Sequence, residues 1–336
     1  SRTFPLEEDG EFKETGAEIL VSGEEDVFTF TETEPGKYVS DQAFQAKPGV
    51  KYILDITTSE GKHYTSDPEE LPGRSEIEDV YVKPATIDGE SGLAILVDIG
   101  NPGETSGFYK YEFSETYKIV SPYQSIRDLY LIDGEFVEVM KTKQETVCYT
   151  TEESSELLLA NTNGQVENQL DGFLVRFMNR ENFRTAYRYS ILVKQYAVAA
   201  ETYSYYQTLK SFSGSKNLFS QNQLGLINGN ISSLSDPEEP VVGIFSVNAV
   251  KSKRIFFNFE DFYDRNVFTP DVHVECEAGF PPTATQEDRE TIGESLAEGK
   301  LKYLGFDPTR GYRFVKAGCV DCTVYGTNVP PDFWVE

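Results

Sequence analysis

An unbroken alternation between residues 187 and 194 constrains the fold of this chain more than any other feature of its sequence. Apolar or aromatic side chains occupy every second position, and mostly polar ones lie between them: Tyr187, Tyr189, Ile191 and Val193 against Arg188, Ser190, Leu192 and Lys194. Residues 109–114 repeat the pattern. Successive side chains of a β-strand point to opposite faces, so each run predicts a strand with one buried and one wet face.

Shorter runs of the same kind recur about every ten residues near the start of the chain. Residues 17–21, 27–31 and 50–58 are such runs, and turn residues separate them. This spacing is typical of a sandwich, so we predict an N-terminal Ig-like β-sandwich over residues 1–75. Leu71-Pro72-Gly73 breaks the pattern and sets the boundary.

Residues 76–260 are predicted to form a larger β-sandwich domain that carries one helix. A helix near 198–212 is indicated by apolar residues that share one helical face: Val198, Tyr205, Leu209 and Phe212. Residues 215–240 have the composition of a loop, and a strand is expected at 241–247.

The remaining residues, 261–336, are expected to form a Cys-containing extension packed on the second domain. Thr285 can cap a short helix whose first turn carries two acidic side chains. The predicted fold class is therefore mainly β. It consists of tandem Ig-like or β-sandwich domains with one inserted helix and a short, α-containing, Cys-bearing C-terminal tail.

The charge of the chain excludes one class of partner. Its formal net charge is −26, from 56 acidic and 30 basic residues. Such a field repels phosphate backbones, so we expect no nucleic-acid partner. The first residues, Ser-Arg-Thr-Phe-Pro, are neither a signal peptide nor a lipid-attachment site. If the protein is exported, we expect its targeting segment to have been removed together with some of the mature chain.

Four cysteines, Cys148, Cys276, Cys319 and Cys322, are the strongest candidates for a structural role. The spacing of the last two is that of a zinc half-site, and a zinc site completed by Cys276 and His273 is one alternative. We favour a disulfide from Cys276 to either Cys319 or Cys322, with Cα atoms less than about 7 Å apart. Cys148 is then free or bonded to the remaining cysteine.

No motif in the sequence indicates catalysis or cofactor binding. His63 and His273 are the only histidines, and neither lies in a segment with a plausible nucleophile. Gly-x-Ser-x-Gly and the phosphate-binding glycine loops do not occur. We therefore predict a protein that is not an enzyme, with no catalytic, cofactor-binding or metal-binding residues. Calcium binding stays open for the acidic turns at residues 7–10, 24–26 and 236–239, although none has the ligand spacing of a dedicated calcium loop. A glycosidase-type carboxylate pair also stays open, because acidic residues are so numerous.

Several segments carry a resemblance to a known family. They are residues 189–196, 201–209, 228–231 and 236–245, and the closing Cys319-Val320-Asp321-Cys322 with residues 326–334. In this order they resemble the Bacteroidota outer-membrane lipoproteins grouped as domain of unknown function family 4249. A typical member begins with a lipid-bearing cysteine and an early strand. This chain lacks both, so the resemblance implies that its front is missing.

The resemblance implies a location and a partner but no catalytic residues. Members look like lipid-anchored proteins of the extracellular face of the outer membrane, encoded beside TonB-dependent receptors. The implied function is an accessory subunit of a TonB-dependent transporter that captures an imported ligand or forms a lid over the β-barrel. Two other functions stay open: a structural or adhesive cell-surface module, and a hydrolase.

Overall fold

The computed structural model describes residues 13–74, 76–99, 107–163, 170–214, 227, 229–270 and 276–336. The fold is mainly β, with 47% strand and 12% helix, and its sheets are antiparallel. This confirms the predicted fold class. Among the described residues, no helix combines the length and the apolar composition that crossing a membrane requires.

A six-stranded sheet contains the N-terminal strands. Five strands come from the start of the chain: β1 (Glu18–Gly23), β2 (Asp26–Glu34), β3 (Lys37–Ser40), β4 (Tyr52–Thr57) and β5 (His63–Ser66). The sixth is β15 (Ile231–Ser233), which pairs with β5 at the sheet edge. In the described part of the chain these strands form one sheet, which differs from the two-sheet sandwich expected for residues 1–75.

The later chain also supplies side chains to this sheet. Phe245 and Val247 pack against the core formed by Val21, Val50 and Tyr52. The sequence predicted a strand at 241–247, but the backbone there is irregular. The segment is apolar because its side chains pack onto the N-terminal sheet. This contact joins residues about 200 positions apart, so a sequence pattern read over neighbouring residues cannot predict it.

A two-sheet sandwich forms the centre of the protein. One sheet contains β6 (Ile77–Ile87), β7 (Glu90–Ile99) and β13 (Leu170–Asn179). The other contains β8 (Phe108–Val120), β11 (Val147–Glu153), β12 (Leu158–Asn161), β14 (Arg188–Ala197) and β16 (Ala249–Asn258). Side chains from both sheets form one core between them.

The apolar residues that alternate in the sequence of β14 and β8 are the ones that point into this core. Tyr189, Ile191 and Val193 on β14 are fully buried, as are Tyr109 and Tyr111 on β8. The Tyr111 ring stacks on Phe173 of the facing sheet, with 4.8 Å between ring centroids. Aromatic pairs of this kind add to the stabilisation that area burial already provides.

The predicted helix is present as α1 (Ala200–Gly214). Val198 is fully buried but precedes the helix, while Tyr205 and Leu209 are half-buried. The side chain of Phe212 lies outside the described residues. Tyr203 contacts Phe108 on β8, which places the helix beside the five-stranded sheet.

A smaller unit joins a central hairpin to the C-terminal region. The hairpin consists of β9 (Arg127–Ile132) and β10 (Glu135–Met140), and its partners are α2 (Gln286–Ala297), β17 (Leu301–Asp307) and β18 (Gly311–Lys316). Leu129, Ile292, Tyr303 and Phe314 form its core. As predicted, Thr285 caps α2, and it does so reciprocally with Asp288.

Gly293 sets the close approach between α2 and the hairpin. A Cβ atom at this position would come within 2.8 Å of Leu131 Cδ2. Such a distance is far below normal van der Waals contact, so a side chain here would push the helix away from β9.

Two disulfides fix the C-terminal region to the sandwich. Cys276 is bonded to Cys319, and Cys148 is bonded to Cys322, with 5.6 Å between Cα atoms in each pair. These are among the pairings that the sequence left open. With Cys276, Cys319 and Cys322 all oxidised, the thiolates of the alternative zinc site are not present.

We predict that the Cys148–Cys322 disulfide stabilises the protein more than Cys276–Cys319 does. Their sequence separations are 174 and 43 residues. In the loop-entropy description the longer loop restricts the unfolded chain more, by about 1 kcal/mol. Urea unfolding of Cys148→Ala/Cys322→Ala and of Cys276→Ala/Cys319→Ala should show this order in the free energy of unfolding. The reverse order would contradict the prediction.

Candidate functional site

A cavity of about 360 Å³ lies where the hairpin, the end of α2 and β17 meet. Its walls come from distant parts of the chain, including Tyr130, Lys143, Leu296, Lys302 and Val324. The volume is near the lower limit for small-molecule sites in proteins. The cavity is therefore large enough for a small ligand.

Lys302 of β17 is the central charge of the cavity wall. Its Nζ atom lies 2.8 Å from Asp321 Oδ2 and 3.2 Å from Glu145 Oε1. The side chains of all three residues are at most 19% exposed. Because each charge has a partner of opposite sign, the cluster tolerates its partial burial.

A second lysine completes the cluster. Lys141 Nζ lies 2.5 Å from Glu145 Oε2 and 3.6 Å from Asp128 Oδ1, and its side chain is only 8% exposed. Glu145 thus bridges the two lysines. Three carboxylates and two ammonium groups meet at the junction of the hairpin and the C-terminal region.

The pKa values of Asp321 and Lys302 follow from this pairing. Burial alone would raise the pKa of Asp321, but hydrogen bonds from Lys302 and Thr323 outweigh it and hold the pKa below its ordinary value. Burial would lower the pKa of Lys302, but Asp321 and Glu145 raise it. Asp321 is therefore held ionised and bound to lysine, which is unlike the poised carboxyl group of a general acid or base.

A second buried cluster lies inside the sandwich. Glu115 on β8 is 3% exposed and binds Arg176 at 3.1 Å, and Tyr189 donates a hydrogen bond to it. Arg184 lies 3.6 Å from Glu115 and 2.7 Å from Glu152. The two carboxylates are therefore joined through one guanidinium. This arrangement is a structural ion network and does not resemble the open carboxylate pair of a glycosidase.

The disulfides lie beside the cavity. Asp321, which holds Lys302, is located between Cys319 and Cys322. The amide of Cys322 donates a hydrogen bond to the carbonyl of Glu145 at 2.8 Å. The cysteines that the sequence singled out therefore position two of the charged residues of the cavity.

The other candidates from the sequence are not brought to this cavity. His63 is exposed at the start of β5, with Nδ1 3.0 Å from Thr57 Oγ1. His273 lies outside the described residues. Of the acidic turns, Glu239 binds Lys62 at 3.0 Å. Within the described ranges, no group of three or more His, Cys, Asp or Glu side chains could hold a metal ion.

We predict that Lys302→Met destabilises the fold by about 3 kcal/mol at pH 7, because it leaves Asp321 partly buried without its cation. Lys300→Met is the matched control. Lys300 lies two positions away, its side chain is 71% exposed, and its loss should leave the stability of the protein almost unchanged. Urea unfolding measures both effects.

The difference between wild type and Lys302→Met should depend on pH. The contribution of Asp321, whose pKa is lowered, is lost as pH falls below the unfolded value of about 3.9. The contribution of Lys302, whose pKa is raised, is lost as pH rises above about 10.4. The difference should therefore be constant from about pH 5 to 9 and shrink outside that range. A difference that stays the same at pH 3 would contradict this account.

Comparison with known proteins identifies a family but no characterised relative. Searches of curated proteins and of solved structures each found no match. The model of a family described as a domain of unknown function, DUF4249, matches residues 1–254. The match contains the N-terminal sheet and the sandwich up to residue 254 in β16, whereas α2, β17 and the residues of the Cys319–Cys322 segment lie beyond it. Because the match spans well over half of the chain, this protein belongs to the DUF4249 family.

Proposed function

We propose that this protein is a lipid-anchored outer-membrane lipoprotein of a Bacteroidota cell surface and an accessory subunit of a TonB-dependent transporter. In this role it captures the imported ligand, or forms a lid over the β-barrel, without turning over a substrate. Membership of the DUF4249 family supports the proposal through the resemblance that its members bear to such lipoproteins.

The observation that carries the proposal is the cavity beside the hairpin. The carboxylates in its wall are each bound to a lysine: Lys302 binds Asp321 and Glu145, and Lys141 binds Glu145 and Asp128. Such a wall offers shape and polar contacts to a ligand, while carboxylates that are bound to lysine are not free to act as general bases. This favours binding over catalysis.

The two disulfides support a location outside the cytoplasm. Disulfides persist in oxidising compartments such as the periplasm and the cell surface. Here they hold the walls of the cavity, because Cys148–Cys322 ties the C-terminal region to β11 of the sandwich. A rigid scaffold of this kind lowers the entropic cost of binding.

We predict that the full-length protein, extracted in mild detergent from native outer membranes, co-purifies with a TonB-dependent β-barrel in a fixed ratio. On intact cells, added protease should degrade it while a periplasmic marker protein stays intact. Mass spectrometry of the purified fraction and immunoblotting of the cells measure the two results. The same protein with its lipid-bearing cysteine replaced is the control, and it should leave the membrane fraction.

Two results would contradict the proposal. One is an isolated monomer under conditions in which other barrel–lipoprotein pairs stay together. The other is hydrolytic activity of the purified protein that disappears when Glu145 and Asp321 are both changed to the matching amides. The first would favour a structural or adhesive module, and the second would favour an enzyme.

A further inference from the structure

The hairpin of β9 and β10 exposes an unusual amount of apolar surface. Its outward side chains remain 39–51% exposed: Tyr130 51%, Ile132 50%, Val137 39% and Val139 44%. Ile126 and Met140, at the base of the hairpin, are 70% and 59% exposed. Six exposed apolar side chains therefore lie within fifteen residues of a chain whose net charge is −26, and this apolar patch is a candidate interaction surface.

The strand register places these side chains on one face. Tyr130 is opposite Val137, Ile132 is adjacent on the same strand face, and Val139 follows Val137 by two positions. The other face, which carries Leu129 and Phe136, packs against α2, β17 and β18. The exposed face is therefore the side of the hairpin turned away from its own core.

In the part of the chain that the structure describes, no third strand pairs with the hairpin. α2 and β17 lie against β9, which leaves β10 as the outer strand. The Asp133-Gly134 turn, with φ of 50° and 80°, closes a two-residue hairpin. At the other end, the amide of Lys141 donates a hydrogen bond to the carbonyl of Ile126, and together the two ends fix which residues are hydrogen-bonded across the hairpin. This pattern directs the backbone N–H and C=O groups of Phe136, Glu138 and Met140 away from β9. A row of outward backbone groups is a template for pairing with another strand.

Charge decides which kind of strand fits. The side chain of Glu135 is 79% exposed, whereas Glu138 is already paired with Arg127. A second copy of this chain would bring a further net charge of −26 to the interface, and like charges repel each other. A second copy of this chain is therefore disfavoured, and a strand with apolar side chains on one face and Lys or Arg near Glu135 is complementary.

We propose that the edge of β10 and the apolar face of Tyr130, Ile132, Val137 and Val139 bind an extended, basic and apolar strand of a different protein by β-strand addition. In such complexes the backbone provides hydrogen bonds and the alternate side chains provide specificity. The identification of that protein as the transporter barrel rests on the proposed function. The docking surface itself is inferred from the structure of the hairpin and does not depend on that function.

Site-specific photo-crosslinking in cells of the native organism tests this inference. The probe is p-benzoylphenylalanine, placed at Tyr130 or Val139 in the full-length protein. The control places it at Val27, which is 63% exposed on the N-terminal sheet, a different sheet from the hairpin. We expect both hairpin positions to give one discrete crosslinked product with a single other protein, and Val27 to give none.

A second set of variants separates binding from folding. Val137→Lys/Val139→Lys should reduce the crosslink from Tyr130 about tenfold or more, because it removes apolar contact and adds positive charge facing a basic strand. Val27→Lys should leave the yield unchanged. Unchanged far-ultraviolet circular dichroism and urea midpoint show that the hairpin variants remain folded.

The outcomes distinguish the inference from the proposed function. A crosslink from the hairpin to a protein other than a β-barrel supports the docking surface and overturns the transporter role. Co-purification with a barrel, without any crosslink from the hairpin, supports the transporter role and overturns the docking surface. A product containing two copies of this chain, or equal products from all three positions, also overturns the inference.

Discussion

Packing of the two central sheets against each other is the interaction on which the rest of the structure depends. The fully buried residues of β8 and β14, among them Tyr109, Tyr111 and Tyr189, fill the space between the sheets. Burial of such side chains contributes on the order of 25 cal/mol per Å² of apolar surface. The hairpin leaves this sandwich after β8, and the Cys148–Cys322 disulfide returns the C-terminal region to it. The cavity lies where the hairpin and the C-terminal region meet.

Much of the fold follows from local patterning. The alternation around Tyr189 predicted a strand with one buried face, and that strand lies at the centre of the larger sheet. The α1 helix and the Thr285 cap were also recognisable, because their signals lie within a few residues of each other. Residues 241–247 show the limit of such reasoning. They have the composition of a strand, but they pack as irregular chain on the N-terminal sheet.

The candidate site was less accessible from sequence. Lys302 occupies an alternating strand in which a lysine is normally read as solvent-exposed, and Glu145 belongs to a short polar connection. Their partner Asp321 was visible only as a residue between two cysteines. These charges meet through contacts between residues up to 157 positions apart, and no periodicity encodes such a contact. The cysteines offered the one sequence signal that pointed to this part of the molecule.

A binding cavity and an exposed apolar hairpin lie on the same small unit, which suggests one surface for a ligand and a partner. The most direct test of that account is the structure of the native complex, determined by electron cryo-microscopy after extraction from outer membranes. We expect a TonB-dependent barrel in contact with this protein, with the β9–β10 hairpin at the interface. A monomer without a partner, or a barrel that contacts only the N-terminal sheet, would contradict it.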